Sequence, residues 1–136
     1  SRDFWEGRMR SIRDHEAHLH RNGTRIVKFF LHVSREEQRR RFLDRIDHPD
    51  KNWKFNLGDV EERGYWDDYM RAYEQAIAAT STKESPWYVI PADDKKNARL
   101  LVSQAVNQTL ESLGLAYPKL DKARVAELKS ARRLLE

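Results

Sequence analysis

No cysteine occurs in the 136 residues, which removes disulfides, thiolate nucleophiles and Cys-based metal sites and leaves the redox compartment open. Glycine is scarce too: there are five, none in a G-x-x-x-x-G-K arrangement, so this stretch contains no phosphate-cradling loop of that type. Apolar runs are short, and none approaches the roughly 20 residues that a membrane-spanning helix needs. The first residue is Ser1 rather than methionine, and the chain enters in mid-helix. We therefore expect natural sequence upstream, and the lack of a signal peptide is uninformative. Charge of a single sign is also missing. With 26 Lys and Arg against 22 Asp and Glu, the net charge is +4 and the surface is mixed rather than uniformly basic. The pI near 9.4 permits a polyanionic partner, nucleic acid or polyphosphate, without demanding one.

What is present is 39% hydrophobic and 35% charged residues, enough for one domain with a modest core. The stretch from Ser34 to Phe55 organises the rest. Ser34 with Glu37 three residues on is a capping-box pattern, in which the hydroxyl accepts an orphan backbone N–H and the glutamate reciprocates. In the helix that follows, Phe42, Leu43 and Ile46 share a face, and Gln38, Arg41 and Arg45 line the edge beside it. Two guanidiniums one turn apart suit a phosphate chain, because each planar fork binds phosphate oxygens bidentately and stays charged. On spacing alone, a solvated face laced with weak ion pairs through Asp44 and its neighbours is the commoner outcome for such a charge run. His48-Pro49-Asp50 ends the helix, and Lys51, Trp53, Lys54 and Phe55 form a basic, aromatic segment after it.

Residues 2–20 carry Trp5, Met9, Ile12, Ala17 and Leu19 at helical spacing, with a stop at Arg21-Asn22-Gly23. His15, His18 and His20 lie in this helix, but no carboxylate completes a recognisable metal-ligand spacing. Residues 24–33 are β-branched and aromatic almost without a break, the pattern of a strand covered on both faces. A long helix is predicted over 57–80, with Trp66, Tyr69, Met70, Tyr73 and Ile77 as a core stripe. Trp87 to Ile90 reads as a second strand closed by Pro91, and Asp93 as the cap of a helix that ends at Gly114. A last amphipathic helix, 121–135, is expected to dock on the body or on another subunit. The order implies a crossover unit of an α/β sheet. Two strands buried on both faces need more strands than this chain supplies, which points to a larger α/β domain or a partner.

Three blocks, GTRIVKFFLHVSREEQRRRFLDRIDHPDKNWKF, YWDDYMRAYEQAIAATST and SPWYVIPADDKKNARL, resemble in that order the polyphosphate kinase 2 enzymes. The resemblance covers nearly all of 10–113. It implies an α/β fold: part of a thymidylate-kinase-like P-loop kinase, a three-layer sandwich of parallel strands with a helical lid. It further implies a cytoplasmic, homo-oligomeric enzyme that moves phosphoryl groups between inorganic polyphosphate and ADP, AMP or their guanine counterparts with Mg²⁺. The family's Walker A loop and Walker B aspartate are not here, so both they and the Mg²⁺ ligands are expected upstream. The chain then reads as the C-terminal part of one kinase domain: lid at 34–80, last strand and helix at 86–113, tail at 115–136.

By the same resemblance, Arg41 and Arg45 would close over the phosphates as the catalytic cations. Lys54 and Arg39 would extend that surface, with packing or a buried carboxylate as the alternative partner of Arg39. Asp93, Asp94 and Lys95 follow the last strand, where ligands gather in α/β sheets, and would border the nucleotide, with simple helix capping as the alternative for Asp93. Trp66 is expected in the core, and Asp67 and Asp68 as lid ion-pair partners. A chain lacking the phosphate-gripping loop is expected to be inactive alone. Two other classes remain open: a nucleic-acid module using the same cations with Trp53 and Phe55 stacking on bases, and a structural α/β module without catalysis.

Overall fold

Strands β1 (Lys28–His32) and β2 (Trp87–Pro91) pair in parallel, in register from Lys28 beside Trp87 to His32 beside Pro91. They belong to a computed structural model that describes residues 2–136. Helix α1 (Arg2–Arg21) precedes β1. Helices α2 (Arg35–Asp47), α3 (Leu57–Glu62) and α4 (Trp66–Thr80) lie between the strands, and α5 (Lys95–Ser112) and α6 (Lys122–Leu135) follow.

Side chains alternate across a strand, so Phe29, Val33, Ile90 and Ala92 share one face. Against that face α5 packs Ala98 and Val102, and this is the compact core. On the other face Phe30 meets the Tyr73 ring of α4 at 4.7 Å, and Lys28 reaches Glu16 of α1. Helices therefore flank the two strands on both sides, the three-layer arrangement that the family resemblance implied. Coverage is incomplete, with Leu31 55% and Val89 53% exposed. The apolar run 24–33 yields only five residues of strand, because a ladder extends only where β2 offers groups to bond. Pairing begins as the Lys28 N–H bonds the Pro86 carbonyl and ends as the Ala92 N–H bonds that of His32.

Three further expectations change. The helix over 57–80 is broken at Arg63–Tyr65 by a 3-10 turn, so α3 and α4 are separate. The predicted core stripe is half open, with Tyr69 and Tyr73 exposed along a groove of about 1250 Å³ between α1 and α4, whose lining includes Trp5 and Met9. Of the two docking partners expected for helix α6, the body of this chain is not used: all of its residues, Val125, Leu128 and Leu135 included, are exposed. The stop of α1 is as predicted. Asn22 and Thr24 N–H groups bond the carbonyls of His18 and Leu19, and Gly23 takes the left-handed φ of 88° that such a cap needs.

Candidate functional site

Both strands run at their carboxyl ends into helix N-termini, β1 into α2 and β2 into α5. Ser34 caps α2, its Oγ accepting the Glu37 N–H at 3.1 Å. The capping box is completed from elsewhere: Asp93, 59 residues away, accepts the Ser34 N–H at 2.7 Å. The Glu37 carboxylate is thereby left to accept from Arg40 at 2.6 and 2.7 Å and from Arg41 Nε at 2.7 Å. Hydrogen bonds from Arg40, then Arg41, lower its pKa from 4.5 to about 2. The N–H of Ser34 likewise holds the Asp93 carboxyl below its ordinary range.

Arg41 then reaches across to the β2–α5 turn, where Nη2 donates to the Ala92 carbonyl at 2.7 Å and the Asp93 carbonyl at 3.1 Å. Its guanidinium is thus committed to three acceptors, and it does not stand open beside Arg45 as helical spacing suggested. Arg45 lies half-exposed over the Phe42 ring, 5.5 Å from its centroid. Arg39 is neither packed nor on a buried carboxylate; it is exposed and paired with exposed Glu36 at 2.9 Å. Lys54 stands over the Trp53 ring at 5.0 Å, with Trp53 itself 78% exposed.

The loop bearing Lys54 is folded back onto the end of α2. Asn52 Nδ2 donates to the carbonyls of Arg45 and Ile46 at 2.8 and 2.7 Å, satisfying two orphan acceptors of the last turn. Lys51 Nζ bonds Asp44 at 2.8 Å and lowers its pKa. From the other side, Arg63 in the 3-10 turn donates to the Arg35 carbonyl at 2.7 Å and to Gln38 at 2.8 Å. Helix α2 is therefore fixed at its start, middle and end.

The three residues after β2 divide their labour. Asp94, not Asp93, caps α5, accepting the N–H groups of Lys96 and Asn97 at 2.7 and 3.1 Å. Asp93 instead accepts the N–H of Ser34, the cap of α2, because the turn carries its carboxylate over the neighbouring helix start. Lys95 is exposed at the first position of α5. In the matched second block, Trp66 is half-buried and Asp68 pairs with Arg71 three residues on. Among the described residues no group of three or more His, Asp or Glu is placed to hold a metal ion. The carboxylates nearest the strand ends are already engaged: Glu37 by arginines, Asp93 and Asp94 by backbone N–H groups. They do not fit a divalent cation.

Sequence reasoning missed Glu37 as a hub, Arg63 and Asn52. The E-x-x-R-R spacing was a signal for the first, since i+3 and i+4 neighbours share a helix face. For the other two, contacts across a turn left no periodic trace.

The sequence profile of polyphosphate kinase 2 (PPK2) matches residues 1–116. An ADP-polyphosphate phosphotransferase of Rhodopseudomonas palustris is 60% identical over 134 residues, 98% of this chain and 46% of that relative. An AMP/ADP-polyphosphate phosphotransferase of Meiothermus ruber is 50% identical over 119 residues, 88% of this chain and 45% of the relative. The crystal structure of polyphosphate kinase 2 from Arthrobacter aurescens TC1 superimposes with a TM-score of 0.83 at 44% identity, covering 93% of this chain and 46% of that one. The chain spans about half the length of these three proteins. With the three sequence blocks, the parallel pair flanked by helices and the profile all in agreement, the chain belongs to the polyphosphate kinase 2 family.

Proposed function

We propose that the protein to which this chain belongs transfers phosphoryl groups between inorganic polyphosphate and nucleoside mono- or diphosphates, ADP, AMP or their guanine counterparts. The chain supplies the lid (34–80), the last strand and helix (86–113) and a tail (115–136) of one kinase domain. One observation supports this most: Arg41 and Asp93 tie α2 to the β2–α5 turn at the carboxyl ends of the strands, so the basic edge and the expected nucleotide loop lie side by side.

Phosphoryl transfer between phosphates needs in-line placement and positive charge against the transferred group, with no proton to abstract. Arg45 and Lys54, with Arg39, present that charge from the lid. Their guanidinium and ammonium groups bind phosphate oxygens while α2 covers the chain and excludes water. Arg41 acts as a positioning residue, since its donors already serve Glu37 and two backbone carbonyls. Lys95, exposed at the first position of α5, is the cation we assign to a nucleotide phosphate, while Asp93 and Asp94 hold the two helix starts. Mg²⁺ supplies charge neutralisation in this chemistry, and its ligands belong to residues other than those of this chain. Among the described residues no helix is long and apolar enough to cross a membrane. A cytoplasmic site and a homo-oligomer complete the reading, the latter supported by the exposed Leu128, Leu134 and Leu135 of α6.

The test is ATP formation from ADP and from AMP, with Mg²⁺ and polyphosphate of graded length, by the full-length protein, alongside binding to single-stranded DNA. Turnover that depends on polyphosphate chain length supports the proposal. Equal or tighter binding to DNA with no turnover contradicts it.

A further inference from the structure

We propose that Glu37 is a positioning residue for phosphoryl transfer, acting through Arg41 to lock α2 against the β2–α5 turn. The inference deepens the proposed function and rests on it. The chain contains its own comparison. Glu36 and Arg39 form an ordinary surface pair on the same helix, with side chains 76% and 58% exposed and no further side-chain hydrogen bond among the described residues. Glu37 and Arg41 are 11% and 24% exposed, and Arg41 carries the bond onward to Ala92 and Asp93.

Each oxygen of Glu37 is used. Oε2 takes Arg40 Nε at 2.6 Å, and Oε1 takes both Arg40 Nη2 and Arg41 Nε at 2.7 Å. With Nε held from within the helix, the Arg41 fork has one orientation, and in it Nη2 points at the turn. Without Glu37, the long side chain regains its rotamers and the two carbonyls lose their donor for part of the time. Asp93 on the Ser34 N–H would then be the remaining tie between α2 and the turn. A lid whose basic edge must stop at a fixed distance from a nucleotide loop depends on both ties, because misplacement by about 1 Å is enough to cost rate.

The experiment is a double-mutant cycle in the full-length protein with Glu37→Ala, Arg41→Ala and the pair, with Glu37→Gln as the conservative variant. It reads kcat and KM for polyphosphate and nucleotide, with circular dichroism to establish that each variant is folded. Hydrogen exchange over 34–41 is followed in parallel, with Glu36→Ala as its control. The expected result is a fall in kcat of about tenfold for each single variant, no further fall in the pair, and partial recovery in Glu37→Gln, which keeps one oxygen for Arg41. Exchange over 34–41 accelerates in Glu37→Ala and not in Glu36→Ala. Additive losses in the pair, or an unchanged kcat in Glu37→Ala, would overturn the proposal. An inactive wild type would overturn the phosphotransfer reading and the positioning role with it, whereas unchanged exchange would show that the tie itself is not made.

Discussion

Lys28 Nζ donates to Glu16 Oε2 at 2.5 Å and to the Thr80 carbonyl at 2.8 Å, so one ammonium joins α1, β1 and α4 at the end of the sheet opposite the candidate site. The Trp87 ring lies 5.5 Å from that ammonium, and its Nε1 donates to Thr80 Oγ1 at 2.9 Å. Both charged side chains are nearly covered, 13% and 11% exposed. Removing one partner leaves the other uncompensated. We expect Glu16→Ala or Lys28→Ala to cost about 3 kcal/mol, read as a lower urea midpoint at unchanged slope. Glu16→Leu with Lys28→Met, which removes both charges, should cost less than either single change.

Asp93 and Asp94 are adjacent in sequence and serve different helices. Asp94→Ala should cost about 1 kcal/mol through the lost cap and raise hydrogen exchange in the first turn of α5. Asp93→Ala should raise exchange at Ser34 and the start of α2 and leave α5 unchanged. Asp93→Asn, which retains an oxygen acceptor but not the charge, should fall between Asp93→Ala and the natural protein.

Acid sensitivity follows from Glu37. Its folded pKa, about 2, lies below the ordinary 4.5, so the unfolded chain binds the proton more readily. The stability this group contributes is fully present above about 4.5 and is lost as pH falls through about 2. Asp93 and Asp44, also lowered, add to the same acid limb. Glu37→Gln should be less stable than the natural chain at neutral pH, with the difference shrinking as pH is lowered across that window. Urea midpoints taken from pH 7 down to pH 2 measure it.

Two glycines should respond in opposite directions. Gly23 adopts φ 88°, so Gly23→Ala should destabilise by about 1 kcal/mol. Gly64, in the 3-10 turn between α3 and α4, has nothing within 4 Å of an added Cβ. Gly64→Ala should stabilise by about 0.5 kcal/mol by narrowing the unfolded ensemble. Thermal midpoints of the two variants separate the cases.

Elements set by local rules were legible in the sequence: the Ser34 cap, the Gly23 stop, the parallel strands and the breaks at Pro49 and Pro91. Periodicity put Arg41 on the edge of α2 but could not reveal that its fork turns to Ala92 and Asp93, because those contacts span 51 and 52 residues and depend on how α2 docks. The same limit hid the exchange of roles between Asp93 and Asp94. Either can cap a helix locally, and only the neighbouring helix start decides which one caps α5. The break at Gly64 was missed because a lone glycine inside an otherwise helical stretch is tolerated and gives no certain stop. The over-extended β1 reflects a pattern that records burial, whereas a strand also requires a partner to bond.

If the α2 edge carries the cations that meet the transferred phosphates, the measurement to make is kcat for polyphosphate-dependent ATP formation by the full-length protein, with Arg45→Ala set beside the natural sequence. Turnover in the natural protein and a loss of about a hundredfold in Arg45→Ala with the fold intact are expected, the scale seen when one transition-state donor is removed. Equal kcat in the two proteins, or no turnover in either, would contradict that role of the α2 edge.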